Sequence, residues 1–141
     1  MSEFYRYFKE NMDALNLPAP ENIFGTVQSA VANTTVIVSY IEKFGKAVTV
    51  IELIKLGTKL EWLNTIGACS VAYYAGAVIG SIAVATGRSL GSGMTIADVL
   101  FTAQRYGLSR PWLVPIFYRY PGIYDAKSIA RGMYRYQAVM V

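Results

Sequence analysis

The sequence predicts an all-α fold: a small helical bundle or helical hairpin with one long apolar glycine-zipper helix and amphipathic flanking helices. Three observations carry that prediction. The 26 residues from Trp62 to Gly87 hold no charge and no proline, and Asn64 is their only strongly polar side chain. Segments on either side repeat apolar residues at steps of three and four, the helical period. The composition is 54% hydrophobic against 16% charged, with positive mean hydropathy, which is too apolar for a disordered chain and poor in charge for an ordinary soluble domain.

A chain of 141 residues supports a single domain, and its parts follow in order. Residues 1–20 read as an amphipathic helix and a proline elbow. Phe4, Phe8, Met12 and Leu15 share one face, Ser2 is the candidate N-cap, and Leu17-Pro18-Ala19-Pro20 stops the helix. A new segment starts at Glu21 or Asn22. Residues 23–41 are uncharged yet rich in Thr, Ser and Asn; they read as a helix with a polar side facing a bundle or water, although Thr34–Tyr40 also suits a strand. Residues 46–61 place Glu52, Lys55 and Lys59 opposite Val50, Leu53, Ile54, Leu56 and Leu60, an amphipathic helix bent at Gly57. Glu42 and Lys46 are spaced for a helical ion pair.

As one helix, residues 62–87 would rise about 39 Å, enough to cross a hydrocarbon core of about 30 Å with tilt. Cys69, Ala72, Gly76, Gly80, Ala83 and Gly87 follow at steps of three or four and form a smooth flank. Such a flank lets another backbone approach closely, which is how helices associate in lipid. Val71, Tyr74, Val78, Ile82 and Ala85 put bulk on the other side, toward lipid. The same pattern also suits a central helix buried in a soluble bundle; the length of the run favours the membrane.

Residues 88–141 are basic and aromatic-rich. They hold seven Lys/Arg against Asp98 and Asp125, whereas residues 1–61 hold six against seven acidic residues. If the run spans once, the positive-inside bias keeps the basic part cytoplasmic. Gly87 to Gly93 reads as a turn. Thr95 and Asp98 are spaced as a capping box for a helix ending near Tyr106, with Gly107 at the left-handed position. Residues 109–122, with three prolines, should be irregular, and residues 125–137 should return to a helix carrying Lys127, Arg131 and Arg135 in one stripe.

Chemistry is excluded more readily than assigned. There is no histidine, the sole cysteine, Cys69, sits in the apolar run as an inert buried thiol, and the glycines at 87, 91 and 93 lack a phosphate-loop lysine. No catalytic constellation, metal-ligand spacing or cofactor motif is present, so the expectation is a protein that is not an enzyme. Tyr-Arg-Tyr occurs at 5–7, 118–120 and 134–136. Rings beside arginines suit a membrane interface or stacked nucleotides, and also ordinary packing; nucleic acid is not favoured. The interface or partner candidates are Trp62, Tyr118, Arg119, Tyr120, Arg131, Tyr134 and Arg135.

The stripe Ala72, Gly76, Gly80, Ala83 and Gly87, in a short chain without a signal peptide or enzyme residues, resembles the small glycine-zipper pore formers, among them bacterial toxins carried inside the tube of the type VI secretion machine. The resemblance covers about a fifth of the chain. It implies an antibacterial effector that is cytoplasmic before delivery, then enters the inner membrane of a target cell, associates with copies of itself and depolarises it. It further implies target lipids, a carrier or adaptor such as the secretion-tube protein, and a cognate immunity protein as partners. The alternatives are a non-enzymatic accessory subunit of a membrane complex and a soluble helical interaction module with a basic C-terminal face.

Overall fold

Helix α1 (Glu3–Ala14) opens where Ser2 Oγ accepts the Tyr5 N–H at 3.0 Å, and it buries Phe8, Met12 and Leu15 completely. The computed structural model describes residues 2–87 and 94–138, and within them it is helical, without a strand beyond one isolated antiparallel bridge. After the proline elbow comes α2 (Glu21–Phe24), which brings the Phe24 ring onto Phe8 at 5.1 Å.

α3 (Val27–Phe44) confirms a helix over the uncharged segment and excludes the strand. Its start is set by a capping box between Thr26 and Ser29. Its polar side is open to water at Gln28, Thr35 and Ser39, while Thr34 is buried. Thr34 Oγ1 donates to Ala30 O at 2.6 Å and Thr35 Oγ1 to Val31 O at 2.9 Å, so the hydroxyls are satisfied by the helix itself. Glu42 pairs across the fold with Arg110 at 2.6 Å instead of with Lys46.

The expected helix over 46–61 shrinks to α4 (Val50–Lys55), capped by Thr49 and Glu52 and ended at Gly57, where φ is +79°. The apolar run is not one helix either. Residues Glu61–Ile66 form a 3-10 helix, and Gly67 turns the chain at φ 63°, ψ −127°, a conformation open to glycine. Thr49 and Ser70 then form the bridge, with Val50 N donating to Cys69 O at 2.9 Å and Val71 N to Val48 O at 3.0 Å. Only after that pairing does α5 (Val71–Gly87) begin. Its 17 residues rise about 25 Å, and no described helix is long and apolar enough to cross a membrane.

α5 is the axis, packed by α1, α3, α6 and α7, with every residue from 71 to 83 buried. The bulky side that the sequence assigns to lipid is therefore inside the protein: Val71, Tyr74, Val78 and Ile82 are fully buried, and Tyr74 donates its hydroxyl to Pro18 O at 2.7 Å. The turn expected over 87–93 lies outside the described residues apart from Gly87, the last residue of α5.

α6 (Ile96–Arg105) has the capping box the sequence predicts, with Asp98 Oδ2 accepting from Thr95 N at 2.9 Å, and Gly107 at φ +72° closes it. Thr95→Ala should lower stability by about 1 kcal/mol, read as a lower urea midpoint at unchanged slope. The stretch expected to be irregular instead forms α7 (Leu113–Arg119). Pro115 is tolerated because it is the third helical residue, where an N–H would have no intrahelical acceptor. The C-terminal helix is shorter than expected: a 3-10 turn at Arg131–Met133 leads into α8 (Tyr134–Gln137). Ala130 in the left-handed region at φ 60° breaks the helix, so Lys127, Arg131 and Arg135 do not form a stripe.

Candidate functional site

The small-residue flank of α5 is in place, and the protein itself covers it. A Cβ on Gly76 would meet Ile116 Cγ2 at 2.8 Å and Leu113 Cδ2 at 3.8 Å, both from α7. One on Gly80 would overlap Ile123 Cγ2, and one on Gly87 would lie 2.7 Å from Met94 Cε. Ala83 is buried between these points. Glycine spacing thus admits close packing as the sequence predicts, but the partners are α7, the 3-10 turn Pro121–Ile123 and Met94 of the same chain. Ala72, at the start of the flank, is buried too and lines a cavity between α5 and α7.

That cavity has a volume of about 100 Å³. Its apolar wall includes Trp112, Pro115, Ile116 and Tyr120, and Lys46 and Arg119 line it as well. Both cations are exposed, so the cavity meets solvent on their side, and no side-chain carboxylate among the described residues lines it. Neither cation has an acidic partner among the described residues. Arg119 lies over the Tyr120 ring at 5.4 Å. Burial raises the Tyr120 phenol above its ordinary value, with Arg119 pulling the other way.

The three Tyr-Arg-Tyr elements share a local geometry, in which the arginine stacks on the ring that follows it: Arg6 on Tyr7 at 4.8 Å, Arg119 on Tyr120 at 5.4 Å and Arg135 on Tyr136 at 4.9 Å. Each element also buries one tyrosine. Tyr5 donates to Ala19 O at 2.5 Å; Tyr120 and Tyr134 pack edge-on against each other at 5.1 Å and both against Tyr73. The repeats work first as packing units. Tyr118, at 70% exposure, is the most open ring among the candidate residues. Trp62 is half-buried between Phe24 and Tyr74, with ring centroids at 5.6 and 5.9 Å, and serves the aromatic core.

Arg131 and Arg135 face the protein. Arg131 Nη2 donates to Asn11 Oδ1, while Arg135 donates to Asn16 O at 3.1 Å and Thr65 O at 2.6 Å. The expected basic stripe is thereby spent on joining the C-terminal segment to α1 and to residue 65. Asn11 is the residue that the sequence reading passed over. It is buried on α1, and its Nδ2 donates to Ser81 Oγ of α5 at 2.9 Å and to Ile123 O at 2.8 Å. The signal was present: position 11 lies three after Phe8 and four before Leu15, on the apolar face, where a carboxamide needs a buried partner.

The described residues hold no group of three or more His, Cys, Asp or Glu placed to bind a metal. Cys69 is buried, as the sequence predicts, with Sγ 3.6 Å from Ser70 O. What these parts make is an uncharged helix held by polar and aromatic ties inside amphipathic covers, with one small cationic-mouthed cleft beside it. Against known proteins, no family model, no curated sequence and no solved structure matches this chain.

Proposed function

We propose that this chain is a membrane-inserting, self-associating pore former, an antibacterial effector that depolarises a target bacterial membrane, and that the fold described above is its sheathed form. The observation that carries the reading is the packaging of α5. Its 17 residues hold no charge, and α1 and α6, which pack on it, are amphipathic helices that turn charged faces to water. The nine residues ahead of it, Trp62 to Ser70, are uncharged as well. Joined to α5 as one helix they reach about 39 Å, so spanning requires opening the Gly67 turn and the Thr49–Ser70 bridge. Lipid offsets that loss by taking up apolar surface that the sheath now covers, as in fold-switching proteins whose two packings differ by a few kcal/mol. In the inserted form Gly76 and Gly80 exchange Ile116 and Ile123 for the flank of a sibling helix. A carrier that holds the chain before delivery and an immunity protein in the producer belong to this reading.

The test is export of the chain to a bacterial inner membrane with membrane potential followed by a voltage-sensitive dye. Collapse of potential and arrested growth are the expected results. Unchanged potential and growth, with the intact chain detected at the membrane, would reject the pore.

One observation favours a second reading, a soluble helical interaction module. The glycine flank is already filled by the chain's own Ile116, Ile123 and Met94. On that reading the purified chain is a monodisperse monomer without detergent, and its export leaves the potential unchanged. The basic face it would use is reduced, because Arg131 and Arg135 are engaged internally.

A further inference from the structure

We infer that the cleft between α5 and α7 binds a single anionic phospholipid, and that the bound chain pries α7 from the glycine flank; this rests on the membrane reading above. The chemistry of the walls selects the ligand. Trp112, Pro115, Ile116 and Tyr120 offer apolar surface, and Ser70, the polar residue at the α5 end, already has its N–H donated to Ala138 O at 2.7 Å and its Oγ accepting from Tyr73 N at 3.3 Å. Tyr73 lines the cleft too, and its buried hydroxyl has no hydrogen-bond partner among the described residues; one hydroxyl is too little to read a base edge or a peptide backbone. The charge at the mouth is positive on Lys46 and Arg119, and no side-chain carboxylate among the described residues lines it to oppose an anion. An apolar chain tethered to a net negative headgroup satisfies both parts, with the headgroup held by cations whose alkyl stems lie along the cleft.

The size of the cleft supplies the second half of the inference. At about 100 Å³ it is smaller than the ~150 Å³ apolar cavity that accepts benzene, so it admits only a short run of methylenes as it stands. The residue in the way of a longer chain is Ile116, which forms the wall and also fills the space above Gly76. A chain that penetrates further must move Ile116, and moving Ile116 uncovers Gly76. Contact with an anionic membrane would therefore loosen the cover of the helix that is to enter it.

The experiment titrates the purified full chain with dihexanoyl phosphatidylglycerol below its micellar concentration. Trp112 fluorescence is the readout, in a Trp62→Phe background so that one indole reports. Saturable binding at least tenfold tighter than for dihexanoyl phosphatidylcholine is expected, with a loss of tenfold or more in the Lys46→Gln/Arg119→Gln variant, whose unchanged urea midpoint would show that giving up the Arg119 contact with the Tyr120 ring leaves the fold intact. Equal binding of both lipids, or an unchanged affinity in the double variant, would overturn the site. Hexanoate binding as tightly as the phospholipid would reassign it to free fatty acids, and inorganic phosphate competing alone would reduce it to an adventitious ion only; either result rejects the phospholipid. Membrane potential is measured in parallel. Lipid binding without depolarisation would sink the pore and keep the site, whereas depolarisation without lipid binding would sink the site and keep the pore.

Discussion

Gly80→Ile is expected to be the most damaging single change in this protein, with a loss of about 3 kcal/mol or more, because even a bare Cβ at that position overlaps Ile123 Cγ2. The isoleucine would add further carbons to a place with no slack. Ile123 is fully buried, and its carbonyl oxygen lies 3.7 Å from the same point while accepting from Asn11. The turn cannot retreat without stretching that hydrogen bond, and the side chain, fully buried, can turn away only by displacing its packed neighbours. Against a total stability of about 5–15 kcal/mol for a domain, the urea midpoint should fall steeply. Ile123→Ala alone should cost about 2–5 kcal/mol through its cavity, but combined with Gly80→Val it should recover much of the loss, a coupling that a double-mutant cycle measures. A Gly80→Ile protein with the wild-type midpoint would show that α5 and residue 123 are not in close contact. The rescued pair also separates folding from association. Its sheath is restored while its α5 flank stays bulky, so under the pore reading it folds and yet fails to depolarise a membrane.

Asn11→Ala should destabilise by about 2–4 kcal/mol, far more than the loss of a surface carboxamide. The amide serves three partners at once: it donates to Ser81 Oγ and Ile123 O and accepts from Arg131. Truncation leaves the buried Ile123 carbonyl without its donor and deprives Arg131 of this acceptor, in a region of low dielectric where each loss is large. Asn11→Asp keeps the acceptor for Arg131 but sets a carboxylate oxygen against the Ile123 carbonyl where the amide donated, so it should cost at least as much as Asn11→Ala. Hydrogen exchange gives a local reading: amides of α5 near Ser81 and those of Gly122 and Ile123 should lose protection together in Asn11→Ala. Protection unchanged in both segments would mean that Asn11 does not tie them.

The parts of this fold that were legible in the sequence are those decided by neighbours along the chain. Ser2 caps α1, Thr95 and Asp98 box the start of α6, Gly107 ends it, and the apolar faces of α1 and α6 point inward, because each depends on spacings of three or four residues. The apolar run was legible as helical in its second half but was read as facing lipid rather than as enclosed by the chain, and the break at Gly67 and the pairing of Thr49 with Ser70 depend on residues some twenty positions apart. Proline content hid α7, since the same residue that breaks a helix in its interior is harmless in its first turn. Lys127, Arg131 and Arg135 read as one stripe because helical spacing was assumed through Ala130, whose left-handed backbone breaks the helix. The small-residue flank was legible as a spacing, and in the fold it lies against Ile116, Ile123 and Met94 of the same chain. What covers it was not legible, for Ile116 and Ile123 lie forty residues further on and carry no pattern that pairs them with glycine.

That late cover has a consequence for synthesis. As the chain leaves the ribosome, α1 and α3 are available to α5 as soon as it appears, but Gly76 and Gly80 wait for residues 116 and 123, and Asn11 waits for residue 131. Through that interval a greasy, groove-sided rod is half dressed in every nascent copy, and neighbouring polysomes could zip such rods together. Slow translation or release of a chain cut before residue 116 should therefore yield aggregates or a chaperone-bound fragment, where the finished polypeptide closes on its own beginning.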